Sequence, residues 1–156
     1  MKYIAIAAAG LFLTSCASTN YADYELSTAN LSNLQVNETF DSQLRKHQLD
    51  LVFDYTINGF HQKGDLYSCT VQFLNNNGTT SSLSMGTKAP CQLDVQSGNI
   101  SLSWPTLLDK SVISSSAELD KLAYPMQFFV AIHQKTGRRS NKIIGKSAIV
   151  QSVAKL

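Results

Sequence analysis

The chain has 156 residues, enough for one domain of ordinary size with a real core. Thirteen basic and eleven acidic residues leave a formal charge of +2, so no global electrostatic attraction to nucleic acid is expected. Charged residues make up only 15% of the total, and Ser, Thr, Asn and Gln are abundant, a balance that suits an extracytoplasmic β protein.

Met1-Lys2 supplies a short positive start, Ile4 to Leu13 is an uninterrupted apolar run, and small polar residues follow at Thr14 and Ser15. These are the three regions of a secretory signal. The run is roughly half the ~20 residues that a bilayer-spanning helix needs, so no permanent transmembrane helix is expected from it. Leu13-Thr14-Ser15-Cys16 resembles the lipobox of bacterial lipoproteins, and the resemblance is confined to this start of the chain. It implies a signal peptide over residues 1–15, a diacylglycerol on the Cys16 thiol, cleavage before Cys16 and acylation of the new amino group. Two or three acyl chains exceed the single chain that binds membranes only marginally. By the same resemblance, Ala17 rather than an aspartate after the lipidated cysteine implies the outer membrane, and the lipid-anchored body is expected to face the periplasm.

With Cys16 assigned to the lipid, Cys69 and Cys91 remain as an even pair in a chain bound for an oxidising compartment. A disulfide is the natural expectation. The rival is a two-cysteine metal or redox site, which would call for CxxC spacing or nearby histidines.

From Ala17 to Asn30 no sustained apolar period exists, which makes residues 16–30 a lipidated tether and residues 31–156 the domain. Tyr21 and Tyr24 suit either a membrane interface or packing on the body. Leu31, Leu34, Val36 and Phe40 are irregularly spaced, consistent with a weakly specified first edge strand. Leu49, Leu51, Phe53, Tyr55 and Ile57 then alternate with polar partners, the period-two signature of a strand with one buried face. After Asn58-Gly59 the alternation returns in Tyr67, Cys69, Val71 and Phe73, suggesting a hairpin with Cys69 facing inward. Asn75-Asn76-Asn77-Gly78 is a turn, since Asn and Gly tolerate positive φ.

Shorter strands are expected at Ser82–Met85, Cys91–Val95 and Ile100–Trp104, separated by Gly86, Ala89-Pro90 and Ser97-Gly98-Asn99. Cys91, Leu93 and Val95 would share the inner face. Pro105 should end its strand, because proline cannot donate to the ladder. Ser115 and Glu118 have capping-box spacing, so Ser116–Ala123 is expected as a short helix. Phe128 to Ile132 is a continuous apolar run too short for a helix and rich in strand formers, hence the most buried strand. A last strand, Lys142–Val153, would carry a bulge near Gly145. The sum is an all-β chain, an antiparallel β-sandwich of immunoglobulin-like or related topology with one short helix.

Candidate sites are few. His47, His61 and His133 stand in no zinc-type motif, no GxSxG or SxxK accompanies the many serines, and neither catalytic residues nor a metal or cofactor is expected. Lys135, Arg138, Arg139, Lys142 and Lys146 concentrate positive charge around one turn, a solvated hairpin or a contact patch for anionic headgroups, a glycan or an acidic partner. The expected role is therefore a non-enzymatic, outer-membrane-anchored module that binds an envelope protein or supports envelope assembly. An inhibitor or immunity protein against a hydrolase is the first alternative, and a small-ligand or glycan-binding module the second.

Overall fold

The computed structural model describes residues 20–41, 43, 46–82, 91–106 and 125–153. The signal segment with Cys16, the helix expected over Ser116–Ala123 and positions 83–85 of the strand expected over Ser82–Met85 lie outside the described residues. Within them, a 3-10 turn at Tyr21–Asp23 precedes β1 (Thr28–Asp41), β2 (Lys46–Asn58), β3 (Tyr67–Leu74), β4 (Thr80–Ser81), β5 (Ser97–Thr106), β6 (Gln127–Lys135), β7 (Asn141–Lys146) and β8 (Val150–Gln151).

All pairings are antiparallel and fall into two sheets. One has the order β1-β2-β5; the other has the order β4-β3-β6-β7, with β8 also on β6. The architecture is the all-β sandwich that the alternating patterns predict. Leu49, Leu51, Phe53, Tyr55 and Ile57 all point inward from β2, and Leu51 and Leu49 pair across to Leu102 and Trp104. From the facing sheet, Tyr67, Cys69, Val71 and Phe73 of β3 meet Phe128, Val130 and Ile132 of β6 in the same core. Each such aliphatic or aromatic side chain stabilises the fold by roughly 1.5–3 kcal/mol relative to exposure.

Several expectations are corrected. The two best-patterned stretches do not form a hairpin: β2 and β3 lie in different sheets, and Gly59 to Leu66 is the crossing between them. Period-two alternation fixes which face is buried, but it carries no information about which strand lies alongside. Ser97-Gly98-Asn99 is not a turn but the start of β5, paired with Thr56, Tyr55 and Asp54. Nor does Pro105 end its strand. It pairs with Gln48 on an edge strand, where a missing donor is tolerated.

Cys91–Val95 forms no separate strand. Only Gln92 bridges Ser68, before the chain crosses to the other sheet and Gln96 accepts from the Ile57 N–H at 2.8 Å. Val95 consequently faces out, at 56% exposure. The final strand is divided into β7 and β8, and its irregularity falls opposite the Ile132–His133 step, where Ile144 is the extra residue. Residues 20–30, expected as part of a tether, are docked on the body: Thr28 to Asn30 open β1, and Tyr21 and Tyr24 pack against the core.

Candidate functional site

Cys69 and Cys91 form the expected disulfide, with Cα atoms 5.2 Å apart and both residues buried. They are directly opposed across the edge of β3: the Cys69 N–H donates to the Cys91 carbonyl at 3.2 Å, and the Leu93 N–H donates to the Tyr67 carbonyl at 3.1 Å. The bridge thus fastens an extended segment onto a strand edge, covering that edge with backbone.

The basic residues divide into three environments. Lys135, the last residue of β6, is already engaged: its Nζ lies 2.9 Å from Asp65 Oδ2, donates to the Tyr21 hydroxyl at 3.1 Å and sits 4.3 Å from the centre of the Tyr21 ring. Hydrogen bonds from Tyr21 and then from Lys135 hold the Asp65 carboxyl below its usual range, and Asp65 in turn raises the Lys135 ammonium above its own. Lys146 lies at the other end of β7, its Nζ over the Phe129 ring. Arg138 and Arg139 on the β6–β7 turn and Lys142 at the start of β7 remain, exposed and without an ion pair among the described residues. The turn closes on a Thr136 N–H to Ser140 carbonyl bond of 2.9 Å.

This turn stands beside the place where the chain joins the body. Asn20 caps the 3-10 turn by accepting from the Ala22 N–H and donating to Asp23. Tyr21 then donates to Asp65 at 2.7 Å. Further along, the buried Gln134 side chain accepts from the Ser27 N–H at 2.8 Å and donates to the Glu25 carbonyl at 2.9 Å. Ser27 Oγ gives its one proton to the Gly59 carbonyl, so the Tyr67 hydroxyl donates to Ser27 and accepts from the His61 N–H. Every one of these groups is satisfied, and the network pins residues 20–27 to the same pole as the basic turn.

A second constellation escaped sequence reasoning. Glu38, His47 and Thr106 form a carboxylate, imidazole, hydroxyl series, with His47 Nε2 2.5 Å from Glu38 Oε1 and Nδ1 2.6 Å from Thr106 Oγ1. Ser152 and the Val153 N–H also donate to Glu38. Burial would raise the Glu38 carboxyl, but the hydrogen bonds from Ser152, Val153 and His47 outweigh it and hold the group ionised below its usual range. A carboxylate can only accept, so Nε2–H donates to Glu38, while Nδ1 shares a hydrogen bond with the Thr106 hydroxyl. The order resembles that of a nucleophilic site, yet His47 and Thr106 are only 2% and 1% exposed, so the hydroxyl presents no face to a substrate. Its evident work is to join β1, β2 and β5 to the segment after β8. A signal was present: Glu38, His47 and Thr106 each extend an inward apolar alternation by one polar step.

The other histidines lie in separate settings. His61 in the crossing segment packs at a tilt against the Tyr24 ring, and His133 on the outer face of β6 is 2.7 Å from Thr70 Oγ1. No group of three or more His, Cys, Asp or Glu side chains is placed to hold a metal among the described residues. Comparison with known proteins finds no matching family model, no similar curated protein and no similar solved structure.

Proposed function

We propose that the chain is an outer-membrane lipoprotein, anchored through Cys16, whose periplasm-facing β-sandwich serves as a protein-binding or envelope-assembly module. The observation that carries this reading is Leu13-Thr14-Ser15-Cys16 at the end of an apolar run, followed within four residues by Asn20 at the start of the docked segment. An anchor so placed holds a small body among membrane-borne partners, raising the effective concentration at which a weak contact forms.

The outer face of the β1-β2-β5 sheet supports a protein-binding role. It presents Asn30, Gln35 and Asn37 of β1, Thr56 of β2, and Ser101 and Ser103 of β5 as exposed polar side chains. Part of this face is held in place by lateral hydrogen bonds. Gln48 donates to Asp50 and to Ser103, while Asn33 and Asn99 each donate to Asp54. Side chains ordered before contact lose less freedom when a partner arrives.

The test has two parts. Cys16→Ala is expected to abolish fatty-acid labelling and release the protein from membranes washed in high salt; a variant that stays acylated, or stays membrane-bound in high salt, overturns the anchor. A photo-crosslinking residue at Asn30 or Ser101 in intact cells is expected to capture a defined envelope protein only when Cys16 is intact. Crosslinks to a hydrolase, or none from this face, would overturn the assembly role.

A further inference from the structure

We propose that the β6–β7 turn is a headgroup-contacting foot: Arg138, Arg139 and Lys142 rest on the anionic phosphodiester headgroups of the membrane that holds Cys16, and so fix the orientation of the body. The proposal rests on the lipid-anchor reading and adds to it the surface that faces the bilayer.

Covalent geometry carries the first step. Four residue steps separate Cys16 from Asn20, and a fully extended chain spans at most about 14 Å over that length. Asn20 itself is not free to wander. The turn it caps is bound through Tyr21 to Asp65 and Lys135, and Glu25 and Ser27 are both held by Gln134. An acylated Cys16 therefore keeps the pole carrying these residues close to the lipid surface, whatever path the intervening residues take.

The chemistry of that pole carries the second step. Lys135 immediately precedes the basic turn, and Lys142 pairs in register with Gln134, so the anchored segment and the three exposed cations share one end of the sandwich. The pole also contains Lys63 and the acids Asp23, Glu25, Asp65 and Asp94. Asp65 is committed to Lys135 and Tyr21, Asp23 accepts from Asn20, and Asp94 accepts from Gln92. Arginine forks and a lysine ammonium match phosphodiester oxygens, and basic residues next to a membrane anchor gain from the negative surface potential within a Debye length of about 8 Å. The same anchored segment carries Leu26, 49% exposed between the two residues held by Gln134.

β7 contains its own control. Lys142 lies in the proposed foot, whereas Lys146 is opposite Ala131, three partner steps beyond Gln134, on the order of 10 Å at a strand's rise and outside that screening distance.

The full lipidated chain should be reconstituted into vesicles of phosphatidylcholine alone or mixed with phosphatidylglycerol, and amine acylation measured by mass spectrometry. Lys142 is expected to react at least about threefold more slowly on the anionic vesicles, with protection lost in high salt, while Lys146 changes little. Equal Lys142 reactivity on both vesicles, or equal protection of Lys146, overturns the foot. The same spectra report the acyl groups on Cys16, so failure of the anchor is seen separately.

A second measurement does not need the anchor. Full-length Cys16→Ala is expected to bind phosphatidylglycerol vesicles at low ionic strength at least about tenfold more tightly than the same chain also carrying Arg138→Ser, Arg139→Ser and Lys142→Ser. Equal binding, or equal competition by inorganic phosphate and vesicles at matched phosphate, overturns a membrane foot. Protection of Lys142 in cells but not on anionic vesicles would assign the turn to an acidic protein instead.

Discussion

Gly145 shows how one residue can set the distance between two sheets. A Cβ placed there would lie 2.2 Å from the Ala29 carbonyl oxygen and 2.8 Å from the Ala29 Cβ, so β7 approaches β1 as closely as a backbone without a side chain permits. Gly145→Ala is expected to destabilise the fold by about 2 kcal/mol through forced separation, read as a lower denaturation midpoint. Gly64, with nothing within 4 Å of its missing Cβ, is the control, and Gly64→Ala should be near neutral. The sequence marked Gly145 as the site of an irregularity, but the contact that requires glycine belongs to a strand more than a hundred residues earlier. The buried polar residues were similarly half legible. Glu38, His47, Thr106 and Gln134 each continue an inward alternation; their partners come from other strands, which a local pattern does not name.

Among the strands, those with one face buried and regular spacing were the easiest to read. β2 and β3 emerge with the expected inward sets, because a one-residue slip would turn every apolar side chain to solvent. β1 looked irregular for a physical reason: its register shifts between Ser32 and Gln35, with Asn33 at φ 53°. The bulge moves the inward parity from Ala29 and Leu31 to Leu34, Val36 and Glu38. The stretch around Cys91 was misjudged for a different reason. Its role is to cover an edge of β3 and then cross sheets, work done by backbone hydrogen bonds and the disulfide rather than by a side-chain stripe. Removing the bridge in Cys69→Ala/Cys91→Ala should cost about 3 kcal/mol, given the sequence separation of 22 residues, and lower the urea midpoint. Non-reducing peptide mapping should recover the two cysteines joined.

Across the whole molecule, stability is expected to fall with acid in two windows. Burial lowers the His133 imidazole below its ordinary 6.5, and the hydrogen bonds to Glu38 lower that carboxyl below 4.5 despite its burial. In both cases the unfolded chain binds protons first as pH falls, so each group adds stability at neutral pH that is lost toward acid. Thermal melts should show a shallow decline starting below pH 6.5 and a steeper one below pH 4.5, to which Asp54 and Asp65, also lowered, contribute. His133→Gln should flatten the first decline. Glu38→Gln should flatten the second and cost about 2 kcal/mol at pH 7, where it removes the charge from buried hydrogen bonds.

β1 also gives the molecule a length. Its start is tied beside the basic turn, while Glu38 near its far end receives the Val153 N–H. The ten residue steps between Thr28 and Glu38 span roughly 30 Å. If the foot stands on lipid and β1 rises from it, the contact between Glu38 and the Val153 N–H sits at the top of a stiff post, beyond the crowded headgroup layer.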